Sequence, residues 1–149
     1  MSDNRDDSLY AVFSQVIRLH HQRVHMVLQK LGVYPGQPPL LFTLLKQDGQ
    51  SQNHLAQKLS IKAATITVML SRMERVGLIE RRSDPNDQRI SRVYLTDKGK
   101  KLCEDVRDAL MTVDRECFSN FTLEEQLLLR RFFLQMQDNL VKVCCKNAE

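Results

Sequence analysis

Four arginines, Arg81, Arg82, Arg89 and Arg92, crowd around the tetrapeptide Asp84-Pro85-Asn86-Asp87. Guanidinium groups carry out little covalent chemistry, but their fixed fork of donors binds phosphate and carboxylate groups well. An arginine on a thin projection can also enter a narrow minor groove, where negative potential is concentrated. The tetrapeptide has turn chemistry, because Pro pre-sets φ and Asp or Asn hydrogen-bonds nearby backbone. An exposed turn ringed by guanidinium groups makes poor protein core and suits a polyanion. Asp87, two residues before Arg89, would repel such a partner, so its expected role is to orient an arginine through a charge-assisted hydrogen bond.

The remaining reactive side chains point to no catalytic chemistry. Cys103, Cys117, Cys144 and Cys145 show no Cys-x-x-Cys spacing, which argues against a structural zinc site. Cys103 and Cys117 fall in helical stretches, where burial as small apolar residues is expected, while Cys144-Cys145 lies near the end and is open to oxidation. His21 and His25 are one helical turn apart beside His20, but no Glu or Cys nearby completes a metal site. Neither metal nor cofactor is expected. There is no glycine-rich phosphate loop, no nucleophile motif with a His partner and no spaced carboxylate pair on an ordered element, so the chain is not expected to be an enzyme.

The elements that must position the arginines can be read in the surrounding stretch, residues 51–99. Two short helical patterns are separated by the break Leu59-Ser60-Ile61. Gly77 then ends the second, and two strand-like runs, residues 78–83 and 90–96, flank the polar tip. Helix, tight turn, helix and β-hairpin is the plan of a winged helix-turn-helix, a module that reads DNA. At roughly 100° per residue the second helix, residues 62–76, turns Ile66, Leu70 and Met73 to one side. The opposite side carries Ala64, Val68, Ser71 and Arg75, flanked by Thr65 and Arg72 on one edge and Thr67 on the other. That face is small near its start and basic near its end, as a helix needs if its first turns approach base edges while later charges grip phosphate. Ile79, Val93 and Leu95 suit the inward face of the hairpin.

The run GLIERRSDPNDQRISRVYLTDKG strongly resembles the wing signature of the MarR family of transcriptional regulators, and the similarity extends to chain length and flanking helices. The resemblance implies that Arg89 enters the minor groove, that Asp87 fixes the wing, and that residues 62–68 lie in the major groove. It implies DNA-binding roles for Lys62, Ala64, Thr65, Thr67, Val68, Arg72, Arg75, Asp87, Arg89 and Arg92. It also implies a small aromatic acid or phenolic effector, held between the first helix, the Tyr34 connector and the fifth helix, with Arg18, Arg23 and Tyr34 as contacts. Two positions depart from common members. Lys62 stands where an N-cap such as Ser or Asp is usual, and Val68 where some relatives carry a long basic residue. Methyl groups and two hydroxyls then dominate the reading face, so thymine-methyl contacts and DNA shape should outweigh hydrogen-bonded base readout.

The whole chain has 149 residues, is 42% hydrophobic and carries a formal charge of +4. That suffices for one domain with an added layer for assembly. Between His54 and Lys101 eleven basic residues face five acidic ones, so the positive charge sits in the segment that would touch phosphate. Apolar runs are too short to span a membrane and the start is acidic and polar, so a cytoplasmic location with no membrane partner is expected. Apolar residues recur at helical spacing in residues 8–31, in a helix capped by Thr96 and running to about residue 118, and in a last helix that opens on the capping box Thr122-Leu123-Glu124-Glu125. That last helix is apolar on more than one side and should be buried on more than one side.

The expected fold is therefore mainly α, with about six helices and a two- to three-stranded wing sheet. Residues 38–99 form the DNA-reading winged helix-turn-helix, and residues 8–34 and 100–145 form a helical dimerisation region. The expected function is a homodimeric, sequence-specific repressor bound to a palindromic operator. A thiol- or metal-responsive regulator of the same fold, and a winged-helix protein-interaction module that does not read DNA, remain the alternatives.

Overall fold

The computed structural model describes residues 8–144. Six helices and one small antiparallel sheet follow the order α1 (Leu9–Lys30), α2 (Gln37–Lys46), β1 (Gln50–Ser51), α3 (Gln52–Lys58), α4 (Ala63–Arg75), β2 (Ile79–Ser83), β3 (Ser91–Leu95), α5 (Asp97–Cys117) and α6 (Leu123–Cys144). Local chemistry sets most of the boundaries. Ser8 and Ser51 cap α1 and α3 by accepting from the amides of Ala11 and His54, each at 3.2 Å. Thr96 caps α5, its hydroxyl accepting from the Gly99 amide at 3.1 Å. The capping box of α6 is closed in both directions, with the Thr122 amide donating to Glu125 at 2.8 Å and the Glu125 amide to Thr122 at 3.2 Å. Gly77, at φ +75°, ends α4, and the Leu78 amide reaches back to the Met73 carbonyl at 2.9 Å. That reversal needs a left-handed residue, which glycine supplies without a Cβ penalty.

Packing around α4 follows the helical period. Ile66, Leu70 and Met73 are fully buried against Leu40, Leu41 and Leu44 of α2, Leu55 of α3, and Ile79, Val93 and Leu95 of the sheet. The sheet order is β1-β3-β2, so the wing hairpin gains a third strand from the two-residue β1, with Gln50 opposite Val93 and Ser51 opposite Arg92. A second cluster joins Val27 and Leu28 of α1 and Val33 to Val106 and Val113 of α5.

The chain divides into two compact units, one reaching Val113 and one starting at Asp114. In the first, the N-terminal part of α1 leaves Leu9, Tyr10, Val12, Val16, Ile17 and Leu19 exposed. In the second, α6 has no buried residue, and Leu123, Leu127, Leu128, Phe132, Phe133 and Leu140 are all exposed. The expected burial of the last helix on more than one side is thus not seen among the described residues. Its six helical turns carry apolar groups on several faces, and none of its described residues is buried.

Candidate nucleic-acid interface

The outer face of α4 is built as its sequence period requires. Lys62, Ala64, Thr65, Thr67, Val68, Arg72 and Arg75 are all exposed, opposite the buried stripe of Ile66, Leu70 and Met73. Lys62 provides no side-chain cap, so the first amides of the helix are left to solvent or to a ligand. The Thr67 hydroxyl donates to the Ala63 carbonyl at 2.8 Å and accepts from Gln52 Nε2 at 2.6 Å. Gln52, the first residue of α3, makes a contact that sequence period does not reveal, because 15 positions separate it from Thr67.

The wing arginines divide into one that projects from the tip, paired among the described residues only with Asp87, and three that are tied to other parts of the module or hairpin. Arg89 lies at the tip with its side chain 92% exposed. Asp87 Oδ1 accepts from both its amide, at 3.0 Å, and its Nε, at 3.2 Å. The acidic residue therefore braces the arginine, as expected from its position two residues earlier. Arg92, in contrast, is tied inward. Its Nε pairs with Asp84 and its Nη1 donates to the Gly49 carbonyl at 2.9 Å, which anchors β3 to the turn before β1. Arg81 reaches α4 with hydrogen bonds to Glu74 Oε2 at 2.7 and 3.0 Å and to Ser71 Oγ at 3.2 Å. That guanidinium holds the Glu74 carboxyl below its ordinary range. Arg82 pairs with Glu80 and lies over the Tyr94 ring, 4.7 Å from its centroid.

Asp84 organises the tip. Its side chain is only 5% exposed and accepts from the amides of Asn86 at 2.7 Å and Asp87 at 3.3 Å, besides pairing with Arg92. The Asn86 amide first, and then Arg92, hold its carboxyl below the ordinary range for aspartate. The loop closes where the Asp84 amide donates to the Ile90 carbonyl and the Ile90 amide to the Asp87 carbonyl, each at 2.9 Å. Both aspartates belong to the family signature, and they divide the work: Asp87 braces Arg89 while Asp84 holds the turn.

A cavity of about 430 Å³ lies between the α1–α2 connector and the outer face of α4. Tyr34, Pro35, Gln37, Ala64, Thr65, Val68, Met69 and Arg72 line it. Tyr34 lines this cavity, whereas Arg18 and Arg23 of α1 do not and no residue of α5 does, and its cationic group is Arg72. The connector folds onto α4, and Arg18 and Arg23 belong to a separate stretch of α1. Among the described residues, no group of three or more His, Cys, Asp or Glu is arranged to hold a metal ion. Cys103 is fully buried, and burial raises its thiol pKa, which disfavours the reactive thiolate. Cys117 and Cys144 are exposed, and Cys145 lies outside the described residues. No helix among the described residues is long and apolar enough to cross a membrane.

Residues 33–91 match the sequence model of the MarR family. YdgJ, an uncharacterized HTH-type transcriptional regulator of Bacillus subtilis (strain 168), is 32% identical over 109 residues, covering 73% of this chain and 66% of YdgJ. MdtR, an HTH-type transcriptional repressor of the same organism, is 31% identical over 104 residues, covering 68% of this chain and 64% of MdtR. The chain therefore spans just under two thirds of the length of these two curated relatives. Among solved structures, a mutant of S. aureus MepR bound to an oligodeoxyribonucleotide superposes with a TM-score of 0.67 at 26% identity, covering 89% of this chain and 98% of that one.

Proposed function

The chain belongs to the MarR family of transcriptional regulators, and from that membership we propose that it is a homodimeric, cytoplasmic repressor that binds a palindromic operator. The observation that carries the reading is Arg89, fully projected from the wing yet braced through its backbone and side chain by Asp87. A solvated arginine gains little from such bracing on its own account, whereas a probe aimed into a minor groove gains a defined direction. Lys62, Ala64, Thr65, Thr67 and Val68 face the major groove, and Arg72 and Arg75 approach phosphate. Arg92 supports binding from behind by holding the wing to the Gly49 turn.

Dimerisation follows from the uncovered apolar side chains of α1 and α6, which a second copy buries. Residues 8–34 and 100–145 are assigned to that assembly and residues 38–99 to DNA reading. Two recognition helices about 34 Å apart then read successive major-groove turns of one duplex. An aromatic or phenolic effector fits the cavity between Tyr34 and α4, with Arg72 opposite an acidic group. Because Ala64, Thr65, Val68 and Arg72 line that cavity and also form the reading face, an occupant there competes with DNA and shifts the protein to the released state. The test is protection of the DNA upstream of the coding region by purified protein, with light scattering for oligomeric state. An inverted repeat protected by a dimer is the expected result. Lack of preference for any duplex at low ionic strength, or a monomer at micromolar concentration, would overturn the reading.

A further inference from the structure

We propose that Gln52 is a specificity-determining positioning residue, which fixes the Thr67 side chain on α4 and so decides what that position offers a base pair. The inference rests on the DNA-reading role of α4. A threonine hydroxyl has one proton to donate and two lone pairs. Here the proton goes to the Ala63 carbonyl at 2.8 Å, within the helix itself. Gln52 must then be the donor in the 2.6 Å contact, so its amide nitrogen, and not its oxygen, faces Thr67. With both bonds made, the hydroxyl has no proton left for a phosphate or for a base acceptor such as guanine O6 or N7. What Thr67 still offers is one lone pair and a methyl group, which suit an exocyclic amine or a thymine methyl and do not suit guanine.

Gln52 holds this state from a different helix. It is the first residue of α3, directly after the capping Ser51, whose side chain accepts from the His54 amide at 3.2 Å. The amide that reaches Thr67 therefore starts from a fixed point, and the bond ties the start of α3 to the second turn of α4. Without it, the Thr67 hydroxyl is free to change rotamer and become a donor, and one position of each half-site loses its discrimination.

The test is selection of binding sites from random duplexes by the full chain and by Gln52→Met, Thr67→Val, the double variant and Thr67→Ser, with affinities measured over a salt series. Gln52→Met keeps length and loses the donor. It is expected to relax preference at one base pair per half-site and to weaken specific binding about 3- to 10-fold, the scale of one hydrogen bond. The dependence of log K on log salt should stay the same, since no charge is removed. Thr67→Ser keeps both bonds and the free lone pair but loses the methyl, so it should still exclude guanine at that pair while losing any preference that rests on a thymine methyl. Effects of Gln52→Met and Thr67→Val should be markedly non-additive. Identical selected sites with unchanged affinity for Gln52→Met, or strictly additive effects, would overturn the proposal while leaving the DNA-binding reading intact. A wild-type chain that selects no duplex would defeat that reading, and the role of Gln52 with it.

Discussion

A single methyl group at Gly99 tests how the wing is seated on the helix that follows it. Gly99 is buried in the first turn of α5, and a Cβ there would lie 2.1 Å from the Leu78 carbonyl oxygen, 3.1 Å from its carbon and 3.0 Å from Leu95 Cδ2. An ordinary carbon–oxygen contact is about 3.3 Å, so the helix start and the Leu78 peptide must separate by roughly 1.2 Å. The obstacle is backbone, and it is already in use, because the same carbonyl accepts from the Thr96 amide at 3.1 Å. Overpacking of this kind costs about 1–3 kcal/mol, and loss of the Thr96 bond adds about 1 kcal/mol. Alanine recovers up to about 1 kcal/mol through helix propensity, leaving a net loss of about 2 kcal/mol for Gly99→Ala. For a chain of this size that corresponds to a fall in Tm of about 4–8 °C. Thermal and urea unfolding followed by circular dichroism, at one fixed protein concentration, reads the change directly. DNA affinity should fall as well, since Leu95 and Thr96 carry β3 into α5 and displacement there moves the wing. A Gly99→Ala variant as stable as wild type would mean that helix propensity outweighs the clash, and the close seating of α5 on Leu78 would be refuted.

Arg89→Ala should leave the melting temperature unchanged, because the side chain is 92% exposed, while weakening DNA binding. Fluorescence anisotropy over a salt series should show the slope of log K against log salt reduced by about 0.9 for each phosphate no longer neutralised, or about 2 for a dimer. Asp84 gives a pH signature. Its carboxyl pKa is depressed in the folded chain, by the Asn86 amide and then Arg92, so its contribution is present above the ordinary aspartate value and lost as pH falls through the lower folded value. Urea midpoints measured from pH 7 down to 3 should therefore decline more steeply below about pH 4 for wild type than for Asp84→Asn. Benzoate, as a simple aromatic carboxylate, should raise the melting temperature of the wild-type chain in a concentration-dependent way. Arg72→Ala should abolish that shift, and an unchanged shift would remove the cavity from the effector reading.

The elements and their faces are legible in the sequence because they depend on local chemistry. The 3.6-residue period separates Ile66, Leu70 and Met73 from the outward face of α4, and the caps Ser8, Ser51, Thr96 and Thr122 with Glu125 satisfy helix-end amides only three residues away. Gly77 and the Asp84-Pro85-Asn86-Asp87 turn are likewise decided by φ preferences and short-range hydrogen bonds. The partners of the wing arginines are not legible in this way. Arg81, Arg82, Arg89 and Arg92 are chemically equivalent in a sequence, yet Arg81 is spent on α4, Arg82 on its own hairpin and Arg92 on Asp84 and a carbonyl 43 positions away, leaving Arg89 to project. The two-residue β1, the Gln52–Thr67 contact and the pairing of Tyr34 with Arg72 around one cavity share that character. Each joins segments distant in the chain, so it exists only once the helices have packed, and no local preference encodes it.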